Sequence, residues 1–147
     1  MRLAWILPLL ALACGRPEAS SPPPAPARSA AATPPSRSAE VPKDLPLVVI
    51  VRADWCPACK KVEPELAQIE KAYAGKIAFL HLDVTDEDTT AGATTEAESA
   101  GVTTFFDQSK NRTATIGVFS KDRKELWRTW GLKDEAKLRE VLDEASR

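Results

Sequence analysis

Two cysteines, Cys56 and Cys59, stand two residues apart directly after an apolar run at residues 47–51. That run is continuous and rich in β-branched residues, which is typical of a buried central strand. A helix-patterned segment begins at Pro57, one residue after the first cysteine. At a helix start, unpaired backbone N–H groups and the helix dipole stabilise a thiolate and lower its pKa. The sequence therefore predicts a reversible disulfide at a strand–helix junction.

The chain begins with Met1-Arg2 and an apolar segment of eleven residues, 3–13. Eleven helical residues rise about 16 Å, roughly half a bilayer core, so this segment predicts a signal peptide rather than a membrane span. Its end, Leu12-Ala13-Cys14, resembles the lipobox of bacterial lipoproteins, in which the cysteine becomes the lipidated first residue of the mature chain. An ordinary cleaved signal with a nearby cysteine is the alternative.

We therefore expect residues 1–13 to be a lipoprotein-type signal peptide and Cys14 to be the lipid attachment site. The resemblance implies a membrane-anchored protein of the bacterial cell envelope that faces the periplasm. Gly15, which follows the cysteine in place of aspartate, resembles the pattern of lipoproteins sent to the outer membrane.

Residues 14–42 are predicted to be a disordered linker, because eight of residues 15–42 are proline and most of the others are Ala, Ser and Thr. Such a segment buries too little apolar surface to offset the entropy of ordering it. Residues 43–147 are predicted to be the folded domain. They carry 16 Lys+Arg and 19 Asp+Glu, a formal charge of −3. This balance argues against nucleic acid as a partner, since a basic face is needed for that.

The domain pattern predicts the order β-α-β-α-β-β-α. The predicted strands are residues 47–51, 77–82, 113–119 and 125–130, and the predicted helices are residues 57–73, 90–100 and 134–145. The acidic residues 86–88 are interpreted as a solvated loop, with calcium binding as an alternative. Residues 109–112 are predicted to be a loop, and Phe105 and Phe106 to be core anchors.

Several residues around the cysteine pair carry a family resemblance. Trp55 directly precedes the first cysteine, Lys60 directly follows the second, Pro64 lies five residues after Cys59, and Gly131 follows the last strand. With the element order, these residues resemble the thioredoxin superfamily over residues 45–146. The motif is most similar to the C-terminal thioredoxin-like domain of the bacterial inner-membrane thiol-reductant transporter. The resemblance implies an α/β thioredoxin-like fold, with a central mixed β-sheet flanked by helices.

The resemblance also implies an enzyme, a thiol–disulfide oxidoreductase outside the cytoplasm. Cys56 would be the exposed nucleophile and Cys59, one helical turn inward, the resolving thiol. Trp55 would shield the site, the dipeptide Pro57-Ala58 would help to set thiolate stability, and Lys60 belongs to the same motif. No cofactor or metal is implied. The expected partners are thiol-bearing or disulfide-bearing exported proteins and a thiol donor or acceptor, and the chain is expected to be a monomer.

Two positions depart from the family pattern. Ile50 stands where many thioredoxins bury an aspartate that accepts the proton of the resolving thiol, and Asp54 and Glu63 are the nearest other carboxylates in sequence. Ala114 stands where thioredoxins have a cis-proline that guides the substrate backbone. A cis bond to alanine costs about 2.5–4 kcal/mol, so we expect a trans bond and altered substrate docking at Ala114.

Two other functions remain open. In a non-catalytic copper(I)-binding module, two thiolates and His81 would hold the metal, although His81 more simply reads as a partly buried, hydrogen-bonded side chain. In the second alternative, a non-catalytic interaction domain, the disulfide would only stabilise the start of the helix. A structural zinc site is disfavoured because it needs four ligands. Trp127 and Trp130 differ by three positions, so they are predicted to face opposite sides of a strand, with one near Gly131 and the site.

Overall fold

The computed structural model describes residues 41–147. Four strands and four helices lie in this range. The strands are β1 (Leu47–Arg52), β2 (Ala78–Asp83), β3 (Thr115–Phe119) and β4 (Glu125–Trp130), and the helices are α1 (Pro57–Ala72), α2 (Glu87–Ala100), α3 (Thr103–Ser109) and α4 (Glu135–Ala145). The predicted signal peptide, Cys14 and the linker up to residue 40 lie outside the described residues. None of the helices between residues 41 and 147 has the length and apolar character needed to cross a membrane.

The four strands form one mixed sheet in the order β2-β1-β3-β4. Strand β1 runs parallel to β2 and antiparallel to β3, and β3 runs antiparallel to β4. All residues of β1 from Leu47 to Val51 are buried, because the strand lies at the centre of the sheet with helices on both faces. The predicted fold class, a mixed sheet flanked by helices, is confirmed.

Alternation along the strands divides the core between the two faces of the sheet. One face, here the α2/α3 face, holds Val49 and Val51 of β1, packed with apolar residues of α2 and α3. The opposite face, the α1/α4 face, holds Val48 and Ile50, packed with apolar residues of α1 and α4. Because Cys56, the residue before α1, belongs to the first cluster and Cys59 in the first turn packs against it, the start of α1 lies over the end of β1.

Helix α1 buries Leu66 and Ile69 against the sheet and contains Pro64 on its exposed side. It is followed by Tyr73, whose hydroxyl donates a hydrogen bond to Asp143 Oδ1 at 2.7 Å. Burial raises the pKa of Tyr73, and the hydrogen bond to Asp143 raises it further. This contact joins the end of α1 to α4 on the same face of the sheet.

The structure corrects the interpretation of the acidic residues 86–88 as a loop. Helix α2 begins at Glu87 rather than near Thr90, and Asp86 caps it: its Oδ1 accepts the Thr89 N–H at 2.8 Å, while Thr89 Oγ1 accepts the Asp86 N–H at 3.0 Å. The hydrogen bond from the Thr89 backbone lowers the pKa of the Asp86 carboxyl. Acidic side chains in a first helical turn also complement the helix dipole.

The structure also contains a helix, α3, that the sequence pattern did not predict. Residues 103–109 form it, so the predicted order lacks one element and the predicted loop at residues 109–112 begins one residue too early. The helix is short and anchored by Phe105 and Phe106, which are 2% and 0% exposed. The expectation that these two rings are core anchors is confirmed.

Arg123, in the turn between β3 and β4, connects this hairpin to the start of the domain by hydrogen bonds. Its guanidinium donates hydrogen bonds to three backbone carbonyls, those of Ala100 at 3.1 Å, Leu45 at 2.9 Å and Pro42 at 2.8 Å. Desolvation lowers the pKa of this guanidinium. The chain therefore enters the domain beside the hairpin turn.

Gly117 of β3 gives a test of the packing on the α2/α3 face. A Cβ atom at this position would lie 2.5 Å from Phe105 Cε2 and 2.9 Å from Phe119 Cε2, and these rings already pack edge to face at 5.2 Å. We predict that Gly117→Ala lowers the free energy of unfolding by about 2–3 kcal/mol, because buried rings must move. Urea unfolding followed by circular dichroism measures the change.

Gly92 supplies the matched control. It lies in the middle of α2, and a Cβ atom there would meet nothing within 4 Å. Gly92→Ala is expected to raise the free energy of unfolding by about 0.5–1 kcal/mol, since alanine favours the helix. Equal effects of the two substitutions would contradict the packing described for Gly117.

Candidate functional site

The N-terminus of α1 is built around the sulfur of Cys56. Cys56 is the N-cap residue, with extended backbone angles, and its N–H donates to the Ala53 carbonyl at 3.1 Å. Its Sγ accepts the backbone N–H of Cys59 at 3.1 Å. In this position a side-chain acceptor satisfies one of the N–H groups that have no partner within the helix. The helix start is therefore arranged to stabilise negative charge on Cys56.

Cys56 and Cys59 are joined as a disulfide, with their Cα atoms 5.3 Å apart. This separation lies within the usual range of about 4.4–6.8 Å for disulfides. The expectation of an exposed Cys56 is wrong for this form, because Cys56 is 2% exposed while Cys59 is only half-buried. The reason is that the N-cap turn folds Cys56 back into the apolar cluster that includes Ala53 and Ala114.

Trp55 lies beside the disulfide and is held from the loop after β2. Its indole Nε1 donates to the Thr85 carbonyl at 2.9 Å, and the neighbouring Asp54 N–H donates to Thr85 Oγ1 at 2.9 Å. Thr85 is itself fixed because its N–H donates to Asp83 Oδ1 at 2.8 Å. The Trp55 ring is nevertheless 61% exposed. The Trp55 ring is therefore held in place beside the disulfide while it remains open to solvent.

The other residues of the motif surround the disulfide at the start of α1. Pro57 is the first helical residue and is exposed, Ala58 is half-buried against the α2/α3 cluster, and Lys60 is exposed. Proline is well tolerated at the first helical position because its missing N–H has no partner there in any residue. The structure thus brings all the predicted motif residues together at one end of the sheet.

Ala114 lies immediately before β3 and is 1% exposed. No peptide bond between residues 41 and 147 is cis, so the expected trans bond at Ala114 is confirmed. Its φ is +62°, a left-handed conformation that costs alanine about 1–2 kcal/mol. The Ala114 N–H donates to the Val51 carbonyl and its carbonyl accepts the Gly131 N–H, both at 2.7 Å. Ala114 therefore links the ends of β1 and β4.

The structure places no carboxylate in the role of the missing aspartate. Ile50 is 3% exposed and packs on the α1/α4 face. Asp54 is exposed and pairs with Arg52, Oδ1 to Nη2, at 2.8 Å. Glu63 lies on the exposed side of α1. Neither carboxylate hydrogen-bonds to Cys59.

His81 lies on the opposite face of the sheet from the cysteines. It pairs with Ile50 in the sheet register, whereas its neighbours Leu80 and Leu82 face the cysteine cluster. Its Nε2 lies 2.7 Å from Glu70 Oε1, and the side chain is 41% exposed, so the interpretation of His81 as hydrogen-bonded holds and its partial burial does not. The structure therefore does not bring together the copper ligands considered from the sequence. No group of three potential metal ligands occurs in the described part of the chain.

The two tryptophans of β4 face opposite sides of the sheet, as predicted. Trp127 pairs with Val118 and packs on the α1/α4 face, whereas Trp130 pairs with Thr115 on the cysteine side. The Trp130 Nε1 donates to the Thr113 carbonyl at 2.9 Å. Trp130 is the one next to Gly131 and the disulfide end of the sheet.

Sequence reasoning missed three residues near the site. Thr85, which holds Trp55 and Asp54, is separated from them by 30 or more residues and belongs to no motif. The cations Arg112 and Lys133 lie over the Trp130 ring, at 5.5 and 4.9 Å from its centroid. The sequence offered a signal for the two cations, because Lys133 lies two residues after Gly131 and Arg112 two residues before Ala114.

The chain is similar to known proteins in sequence and in fold. The sequence profile described as Thioredoxin matches residues 32–129. The H-type thioredoxin of Chlamydomonas reinhardtii is 41% identical over 58 residues, 40% of this chain and 46% of that protein, so the chain spans less than half of that relative's length. A thioredoxin of Rickettsia conorii is 27% identical over 84 residues, 57% of this chain and 79% of that protein.

The solved structure of thioredoxin O2 from Arabidopsis thaliana in its oxidized state has the same fold. It superposes with a TM-score of 0.50 at 18% identity, covering 71% of this chain and 77% of that one. The family profile spans more than half of the chain and covers the segment from β1 through the disulfide to Thr129 of β4. The chain belongs to the thioredoxin family.

Proposed function

We propose that this protein is a thiol–disulfide oxidoreductase that acts on other proteins through Cys56 and Cys59. The observation that carries the proposal is the hydrogen bond from the Cys59 N–H to Cys56 Sγ at the start of α1. The same backbone donor stabilises a thiolate when the disulfide is reduced. The disulfide spacing of the pair and the membership of the thioredoxin family support the same activity.

In the reducing direction the Cys56 thiolate attacks one sulfur of a substrate disulfide. A Cys56–substrate disulfide forms, and the second substrate sulfur leaves as a thiolate that takes up a proton. Cys59 then loses its proton and attacks Cys56 Sγ, so the internal disulfide forms and the first substrate sulfur leaves as a thiol. Two electrons pass from the cysteine pair to the substrate, and a thiol donor restores the pair.

Position 50 is occupied by a buried isoleucine, so no carboxylate at that position can accept the Cys59 proton. General-base assistance is worth about 10²–10⁴ in rate, so the second step is expected to depend on water or on a group of the substrate. A reducing or general exchange role is favoured over that of a strong oxidant, on the strength of the family relationship.

The proposal includes a location outside the cytoplasm. Cleavage before Cys14 and lipidation of its thiol would anchor the chain to a membrane of the bacterial cell envelope, and residues 15–40 would space the domain from the surface. Polyproline-like chain advances about 3.1 Å per residue, so a segment of this length reaches at most roughly 80 Å. The partners are then exported proteins with thiols or disulfides. The lipobox resemblance and the proline-rich composition support this location.

Substitution of either cysteine separates their two roles. Cys56→Ser is expected to reduce insulin reduction to the rate of dithiothreitol alone, because the nucleophile is lost while serine still caps the helix. Cys59→Ser is expected to accumulate a mixed disulfide with the substrate, since the resolving thiol is missing. Turbidity and non-reducing gel electrophoresis measure the two effects. Full insulin reduction by Cys56→Ser would refute the assignment.

The ionisation of Cys56 tests the proposed driving force directly. In the reduced chain we predict that Cys56 has a pKa below the ordinary thiol value of about 8.5, because the helix start stabilises its thiolate. Iodoacetamide labelling at a series of pH values, followed by fragmentation of the peptide that carries both cysteines, gives this pKa separately from that of Cys59. The same chain in urea is the control and is expected to return to about 8.5. Equal values in the folded and unfolded chain would exclude the helix effect.

The anchor is tested independently of the activity. Mass spectrometry of the chain purified from a bacterial membrane fraction is expected to show a mature N-terminus at Cys14 with added acyl mass. Cys14→Ser is expected to leave the chain uncleaved by lipoprotein processing and without acyl mass. Cleavage at another residue, with no lipid, would replace the anchor by an ordinary signal peptide.

A further inference from the structure

Two cations stack on an exposed tryptophan at the end of β4. The Arg112 guanidinium carbon lies 5.5 Å from the centroid of the Trp130 ring, and Lys133 Nζ lies 4.9 Å from it. The ring is held by the hydrogen bond from its Nε1 to the Thr113 carbonyl, yet the residue is 39% exposed. We refer to Trp130, Arg112 and Lys133 as the Trp130 platform.

The positive charge of the platform has no carboxylate partner within residues 41–147. The ion pairs of this range involve other basic residues, and neither Arg112 nor Lys133 takes part in them. Asp134 follows Lys133 directly, but its carboxylate caps α4 by accepting the Lys137 N–H at 2.9 Å. The platform thus presents two cations on a domain whose formal charge is −3 over residues 43–147.

The platform lies at the same end and on the same face of the sheet as the disulfide. Trp130 pairs with Thr115, and Thr115 pairs with Val51 at the end of β1, from which the chain runs to Cys56. Two strand spacings of about 4.8 Å place Trp130 about 10 Å across the sheet from Val51. A protein segment bound at Cys56 can therefore extend over the platform.

The backbone between the disulfide and the platform is already hydrogen-bonded inside the chain. The Thr113 carbonyl accepts the Trp130 indole N–H, and the N–H and carbonyl of Ala114 bond to Val51 and Gly131. These three backbone groups are therefore already engaged at the point where an incoming segment would pass. The exposed side chains of the platform, an indole ring and two cations, can contribute recognition beside them.

We propose that the Trp130 platform is a substrate-binding site that selects protein segments with acidic side chains near the half-cystine. This inference rests on the proposed function, because it names the substrate class of that activity. A carboxylate can accept two parallel hydrogen bonds from the Arg112 guanidinium and one from Lys133, while the substrate backbone packs on the indole. An extended chain advances about 3.3 Å per residue, so the acidic residue lies within about five residues of the half-cystine.

The first test compares two disulfide-linked peptides that differ only in Glu against Gln at the five positions on each side of the half-cystine. With the purified full-length chain, kcat/KM for the Glu peptide is expected to exceed that for the Gln peptide by about 2- to 30-fold, the range for two exposed ionic contacts. The preference is expected to fall in 1 M salt, where the screening length is about 3 Å.

Two double variants show which basic residues cause the preference for the Glu peptide. Arg112→Gln/Lys133→Gln is expected to bring the Glu-to-Gln ratio of kcat/KM close to one. Lys121→Gln/Lys124→Gln removes the same charge from the β3–β4 hairpin turn at the opposite end of the sheet and is expected to retain the ratio. A wild-type ratio of one, or equal loss in both double variants, overturns the inference.

A second measurement decides the inference without any redox chemistry. Peptides with serine in place of the half-cystine are titrated against the ¹⁵N-labelled chain, and the indole N–H signal of Trp130 is followed, with that of Trp127 on the other face as the reference. The Glu peptide is expected to shift the Trp130 signal and the Gln peptide to leave it unchanged. Equal shifts, or none, overturn the inference. Failure to reduce 2-hydroxyethyl disulfide would instead refute the proposed function alone.

Discussion

The arrangement of this domain depends on one hydrogen bond, from the Cys59 N–H to Cys56 Sγ at the first turn of α1. A helix start has N–H groups that no residue within the helix can satisfy, and here a sulfur accepts one of them. The acceptor is in place because the Cys56 N–H bonds back to the Ala53 carbonyl, which turns the chain sharply after β1. The strand thus sets the position of the sulfur, and the N–H groups of the helix start favour a thiolate there once the disulfide is reduced.

Hydrogen bonds made by residues outside that turn hold its surroundings in place. Two indole N–H groups, those of Trp55 and Trp130, each donate to a backbone carbonyl of a neighbouring loop. Thr85 holds one side, and the hydrogen bonds of Ala114 to Val51 and Gly131 hold the other. A buried alanine with a φ of +62° is strained, and two short backbone hydrogen bonds offset that strain. The site is therefore shaped before any partner arrives.

The sequence was informative where a single local pattern determines structure. The apolar run 47–51 predicted the central strand, and the spacing of Trp127 and Trp130 predicted their opposite faces. Helix α3 was missed because seven residues are too few to show a helical period, and its two phenylalanines also suit a strand. The burial of Cys56 and the role of Thr85 could not be predicted, since both follow from contacts between segments distant in sequence.

Ala114 connects the departures of this chain from the family pattern. Its N–H bonds to Val51, a bond that proline could not make, its carbonyl accepts the Gly131 N–H, and the Thr113 carbonyl accepts the Trp130 indole N–H. Backbone pairing is tolerant of sequence, whereas cations fixed on an indole ring discriminate between charges. A site that relies less on backbone pairing and more on such side chains accepts fewer partners. Under the proposal made for the Trp130 platform, alanine at position 114 therefore goes together with a narrower range of substrates.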